Sequence, residues 1–138
     1  FVGGALAGGA GAAIAVLRFA PPTAAAPAAP PPAAPVEYVE FDNAFTSNLV
    51  DTGRYLQLKL SVSTTGGTAA TAAIARHKPA LVSAILGILG ECSEAQVADR
   101  VAKERLRERL RIAVNDTLKA RGESSRIDDV FFTSLVVQ

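Results

Sequence analysis

The chain has 138 residues, 49% of them hydrophobic, with 14 Lys and Arg against 13 Asp and Glu. Arg18 is the only charged residue before Glu37, so the remainder of the chain is formally neutral. That balance leaves no basic excess to hold nucleic acid by counterion release, and a single cysteine, Cys92, excludes an intramolecular disulfide, so the fold must rest on its core.

Phe1–Leu17 carries no charge and no strong hydrogen-bonding side chain. A bilayer-spanning helix needs about 20 apolar residues, and Arg18 can snorkel to the interface. Residues 1–19 therefore read as a single transmembrane helix, and because Phe1 is not an initiator methionine, upstream residues are expected to complete it. Gly4, Gly8 and Ala12 recur every four positions, as do Gly3, Ala7 and Gly11. Such a ridge lets two helices approach closely. The rival reading is a signal peptide cleaved near Ala24–Ala26; Pro21 and Pro22 fit an extended cleavage site poorly, which favours the uncleaved anchor. Either reading puts the rest of the chain outside the cytoplasm.

Residues 20–35 form a Pro/Ala-rich linker holding every proline except Pro79. Proline favours extended polyproline II, and fully extended the segment would span about 50 Å. The foldable domain is 36–138, enough for one core.

Val36–Phe45 alternates loosely and reads as a strand that loses regularity near Asp42 and Asn43. Asp51-Thr52-Gly53 is a turn in which Gly53 can take positive φ. Tyr55–Ser63 alternates strictly, with Leu56, Leu58, Leu60 and Val62 on one face, and reads as a half-buried strand. Ala69–Leu89 reads as helix interrupted by Pro79, which either starts the helix in its first turn or kinks a longer one. Gly90 is its expected C-cap.

Ser93 and Gln96 are spaced as a capping box for a second long helix. Val97, Val101, Leu106, Leu110, Ala113, Val114 and Leu118 trace its buried stripe. Asp99 with Lys103 and Glu104 with Arg107 are spaced for exposed ion pairs, and Gly122 ends it. Val130–Val137 carries apolar residues on both faces, interrupted only by Thr133 and Ser134. Strict alternation puts Val130, Phe132 and Val136 on one face and Phe131, Leu135 and Val137 on the other, so it reads as the central strand, covered on both sides. The expected architecture is α+β, a small three-stranded sheet with two long helices.

No chemistry assembles from these residues. His77, the only histidine, lies between Arg76 and Lys78 with no nucleophile motif in the chain, and reads as a solvated residue near a helix start. One histidine and one cysteine match no metal-ligand spacing. Gly66-Gly67 lacks the spacing of a phosphate cradle. Arg105, Arg107, Arg109 and Arg111 alternate with Glu104 and Glu108 and have no accompanying aromatic, which argues against single-stranded nucleic acid. They read as a solvated helix face or as an interface built on Arg–carboxylate pairs. Arg100, Lys103, Glu104, Arg107, Glu108 and Arg111 are the residues expected to form an oligomer or partner surface. No catalytic, cofactor or metal site is expected, and the alternative is a ligand-binding or enzymatic domain on a membrane anchor.

Three segments carry a family resemblance. Phe45-Thr46-Ser47-Asn48-Leu49, a turn, and Arg54-Tyr55-Leu56-Gln57-Leu58 come first. Ala102-Lys103-Glu104-Arg105-Leu106-Arg107, with Asn115 and Leu118 downstream, is second, and Val130–Val137 closing on Gln138 is third. In this order they resemble the flagellar basal body-associated FliL family over nearly all of 36–138. Ala102 departs from the glycine often found there, and the linker is longer and richer in proline. The resemblance implies structural roles for Phe45, Asn48, Leu49, Tyr55, Leu56, Leu106, Asn115, Phe132, Val136 and Gln138. It also implies a fold similar to the stomatin/prohibitin (SPFH) domain. The expected protein is a single-pass bacterial inner-membrane protein with its C-terminal domain in the periplasm. It would form rings and associate with the MotA/MotB stator units that drive motility.

Overall fold

The computed structural model describes residues 34–138. The expected transmembrane segment 1–19, and all of the linker except Ala34 and Pro35, lie outside the described residues. The elements in chain order are β1 (Glu37–Glu40), β2 (Phe45–Asn48), β3 (Tyr55–Thr64), α1 (Gly67–Arg76), α2 (Lys78–Leu89), a 3-10 turn (Glu94–Val97), α3 (Arg100–Ala120) and β4 (Asp129–Val137). The class is α+β, with four antiparallel strands and three helices among the described residues instead of three strands and two helices.

The strand centred in the sheet is β3. Its inward residues Leu56, Leu58, Leu60 and Val62 are fully buried, as their alternation predicts. A fully buried Leu or Val contributes about 1.5–3 kcal/mol through burial alone, so this strand is the floor of the core. One edge of β3 pairs with β1 and then β2, and β4 covers the other. The expected strand Val36–Phe45 is thus cut short at Glu40, and a second strand on the same line, β2, begins only at Phe45. Phe41 still donates to Leu60 O at 3.2 Å, and pairing resumes with Phe45 opposite Leu58. Asp42, Asn43 and Ala44 are left opposite Lys59 alone, a local excess that breaks the strand where its alternation falters.

β4 is an edge strand, not the central one, and the reason its pattern misleads is a bulge. Leu60 pairs with Phe132 while the adjacent Lys59 pairs with Ser134, so Thr133 has no partner on β3. A bulge inserts one residue and resets which side chains face the core. Val130 and Phe132 before it share the inner face with Leu135 and Val137 after it, opposite Val62, Leu60, Leu58 and Leu56. Phe131 and Val136 face outward and are exposed. Phe132 is only partly buried, less than an expected central position would be.

The helices pack on the inner face through Ala73 and Ile74 of α1, Leu81, Ile85 and Leu89 of α2, and Leu106, Leu110, Val114 and Leu118 of α3. Pro79 does both things its position allows. It occupies the first turn of α2, where a missing N–H costs nothing, and a 73° bend at His77 separates α2 from α1. Ser93 and Gln96 do form their capping contact, Ser93 N–H to Gln96 Oε1 at 2.8 Å, but on the 3-10 turn. The N-cap of α3 is Asp99, whose Oδ1 accepts from Ala102 N–H at 2.8 Å. Asp99 is therefore a cap and not the ion-pair partner of Lys103. Val101, expected in the stripe, is 58% exposed.

At its far end α3 closes in a Schellman motif. Glu123 N–H bonds Leu118 O at 3.0 Å and Gly122 N–H bonds Lys119 O at 3.0 Å, with Gly122 at φ 85. Among the described residues no single helix is long and apolar enough to cross a membrane. The bent pair α1–α2 has the length and composition to do so, but both helices bury apolar residues in the core.

Candidate functional site

The alternating arginines of α3 are sorted by the helix into two flanks. Arg107 and Arg111 lie on the flank towards β4. Arg107 donates from Nε to Val130 O at 2.7 Å, and its Nη2 meets Asp129 Oδ1 at 3.0 Å. It also holds Glu104 Oε1 through Nη1 at 2.8 Å, and its guanidinium carbon lies 5.4 Å from the Phe131 ring centroid. One side chain thus binds a backbone carbonyl, two carboxylates and an aromatic face, which suits the planar fork of arginine and not the point charge of lysine. Arg111 pairs with Glu108 in the same flank. This hydrogen bond holds the Glu108 carboxyl below its usual range and raises Arg111 in return.

Of the residues expected to form a partner surface, Glu104, Arg107, Glu108 and Arg111 therefore form a continuous row of charges beside β4. Arg100 and Lys103 make no ion pair among the described residues. Arg105 and Arg109 point to the opposite flank, against the 3-10 turn.

The outer sheet face beside this row carries Tyr38, 68% exposed, with its ring centroid 5.9 Å from that of Phe131, together with exposed Val136 and Tyr55. Beyond Val130 the outer edge of β4 has no strand paired to it among the described residues. An unpaired edge of this kind is a template for another chain.

The motif residues are mostly structural. Phe45, Leu49, Leu56 and Leu106 are buried in the core. Asn48 Nδ2 donates to Gly53 O at 3.1 Å, closing the β2–β3 turn in which Gly53 takes φ 70. Asn115 grips Ile127 by both backbone groups, Nδ2 to its carbonyl at 3.0 Å and Oδ1 from its N–H at 2.8 Å. Gln138 and Tyr55 exchange backbone hydrogen bonds at 2.8 Å and extend the β3–β4 ladder to the last residue. Tyr55 and Val136 are exposed and Phe132 is partly buried.

These segments lie in β2, β3, α3 and β4, and the model of the flagellar basal body-associated protein FliL family matches residues 38–138. The chain belongs to the FliL family. The match begins just inside β1 and takes in every later element, so the family domain is the folded unit itself. A comparison with curated proteins finds no match to this chain. FliL-family membership makes this a flagellar basal body-associated protein, of an accessory rather than an enzymatic family.

Two groups sit differently from expectation. His77 is not free in solvent: its side chain is 20% exposed, and Nε2 lies 2.7 Å from Glu123 Oε2, which Arg76 also binds. This clasp ties the α1–α2 bend to the end of α3, and the His77 and Arg76 contacts hold the Glu123 carboxyl below its usual range. No sequence spacing announces it, because the partners are 46 residues apart. Cys92 is fully buried, its Sγ donating weakly to Ile88 O at 3.5 Å, and burial pushes the thiol up against a smaller opposing effect of Arg109. Among the described residues no three His, Cys, Asp or Glu side chains converge as metal ligands would.

Proposed function

We propose that the domain is a non-enzymatic assembly module of the flagellar motor. It is held outside the inner membrane on a single-pass anchor and works in the periplasm alongside the MotA/MotB stator units, as a ring of identical copies. The family match over 38–138 is the observation that carries this reading. Three features support it. The charge row Glu104–Arg107–Glu108–Arg111 lies next to the outer edge of β4 and offers both Arg and carboxylate groups to a neighbour. The outer sheet face exposes Tyr38, Phe131 and Val136 beside it. The Pro/Ala-rich segment before Val36 has the composition of a stiff spacer between an anchor and this domain.

Affinity purification from membranes tests the reading, using the full chain and a version lacking residues 36–138 in a motile host deleted for the gene. The full chain should bring down stator subunits and restore swimming and swarming, and the truncated chain should do neither. Equal recovery of stator subunits by both forms, or full motility without residues 36–138, would overturn it.

A further inference from the structure

The flank of α3 turned away from β4 carries a separate feature. A cavity of about 290 Å³ opens between the 3-10 turn and α3, lined by Ala95, Gln96, Ala102, Arg105, Leu106 and Arg109. Arg105 and Arg109 are one helical turn apart, so both guanidinium groups reach the same opening. We infer that this cavity binds a carboxylate side chain of an acidic, partly apolar peptide segment, with Arg105 as the main anchor and Arg109 as the second.

Charge complementarity carries the inference. The carboxylates near the cavity are engaged elsewhere: Glu94 with Arg54 at 2.8 Å and Asp99 with the Ala102 N–H at 2.8 Å. Glu91 reaches only Arg109, at 3.4 Å, and is itself 71% exposed. The Arg105 guanidinium has no hydrogen-bond or ion-pair partner among the described residues. The lining thus joins one uncommitted guanidinium, one loosely held guanidinium and a glutamine amide, over a floor of Ala95, Ala102 and Leu106. An arginine fork matches a carboxylate bidentately, and the apolar floor accommodates the methylenes that carry it.

A peptide fits better than a free acid because of what borders the cavity. Val101, one turn before Arg105, is 58% exposed and gives an adjacent apolar residue of the same segment a seat. A membrane surface fits less well, because Glu91, Glu104 and Glu108 on and beside the helix would oppose anionic headgroups. The inference does not depend on the flagellar reading, since it rests on the cavity and its charges alone.

Calorimetric titration of the full chain in non-ionic detergent tests it, with a short acetylated and amidated peptide of alternating glutamate and leucine. The glutamine–leucine counterpart, free glutarate, and vesicles of equal parts phosphatidylglycerol and phosphatidylcholine are the comparison probes. The acidic peptide should bind saturably and more tightly than the other three. Arg105→Ala should weaken it about tenfold, and Arg105→Lys should fall between, because the charge remains and the fork is lost. Glu91→Gln should tighten binding severalfold by releasing Arg109. Arg126→Ala, which removes an exposed arginine outside the cavity, should leave it unchanged. The proposal is overturned if Arg105→Ala and Arg109→Ala bind as the parent does, or if the glutamine peptide or glutarate binds equally well. Vesicle binding that is tighter than peptide binding and lost with Arg105 would overturn it in favour of a membrane surface.

Discussion

Arg107 Nε and Val130 O are 2.7 Å apart, a bond from helix α3 to the outer edge of β4. An edge carbonyl that would otherwise face solvent is taken by a side chain whose other nitrogens hold Asp129 and Glu104. The helix thereby blunts the start of an edge strand, one of the devices that limit unwanted strand pairing, and leaves the later part of the edge open.

Removing that side chain should be costly for a surface-proximal residue. Hydrogen bonds to a charged group contribute about 1.5–3 kcal/mol each, while partly exposed ion pairs contribute less. Arg107→Ala should therefore destabilise the domain by about 1–3 kcal/mol. Arg107→Lys should recover little, since an ammonium cannot make three divergent contacts at once. Urea unfolding followed by circular dichroism reads the difference; a midpoint unchanged by either substitution would show that the α3–β4 contact carries no stability.

Asn115 makes a second such contact, through two hydrogen bonds to the backbone of Ile127, whose side chain is fully buried. Asn115→Ala leaves a donor and an acceptor of Ile127 without their partner, each worth about 1–3 kcal/mol when desolvated. A loss of about 2–4 kcal/mol is expected. Asn115→Asp should lose part of that, because it keeps the acceptor for Ile127 N–H and places a carboxylate against a carbonyl. Thermal unfolding of the three proteins should rank them parent, Asp, Ala; an Ala variant as stable as the parent contradicts the assignment.

Much of this fold is legible in the sequence where one physical pattern dominates. The strict alternation of Tyr55–Ser63 marks β3 and its buried face, and Leu106, Leu110, Val114 and Leu118 mark the inner stripe of α3. Gly53 turns the chain between β2 and β3 and Gly122 ends α3, both at positive φ, as turn chemistry requires. Patterns broken by a single inserted residue are not legible. The bulge at Thr133 turns an edge strand with one apolar face into a run that reads as apolar on both sides. The candidate surface is legible only as a charged run. Which of its arginines fold inward depends on Asp129, Val130 and Glu91, remote residues that no helical spacing connects to them.

The bulge makes a prediction that distinguishes neighbouring residues of β4. Leu135 is packed against the core, whereas Val136 is 41% exposed on the outer face. Leu135→Ala should cost about 2–3 kcal/mol, at the low end for a core leucine because burial is incomplete. Val136→Ala should change stability by no more than about 0.5 kcal/mol. Without the bulge, Val136 would share the inner face with Val130 and Phe132 and the order would reverse. Chemical denaturation of the two variants separates these registers.

The His77–Glu123–Arg76 clasp should make stability depend on acid. Hydrogen bonds from His77 and Arg76 hold the Glu123 carboxyl below its usual range in the folded protein. Between the folded value and the ordinary one, the unfolded chain binds the proton more readily, so stability rises with pH across that window. The contribution is fully present above the ordinary glutamate value, near pH 4.5, and is lost as pH falls through the depressed one. Glu123→Gln removes the titration, so its unfolding midpoint should fall less steeply than that of the parent between about pH 5 and pH 3. His77→Ala takes away one of the two hydrogen bonds and should flatten the same window in part, leaving the contribution of Arg76. If all three proteins lose stability in parallel as the pH is lowered, acid lability resides in other carboxylates and the clasp does not hold α3 to the α1–α2 bend.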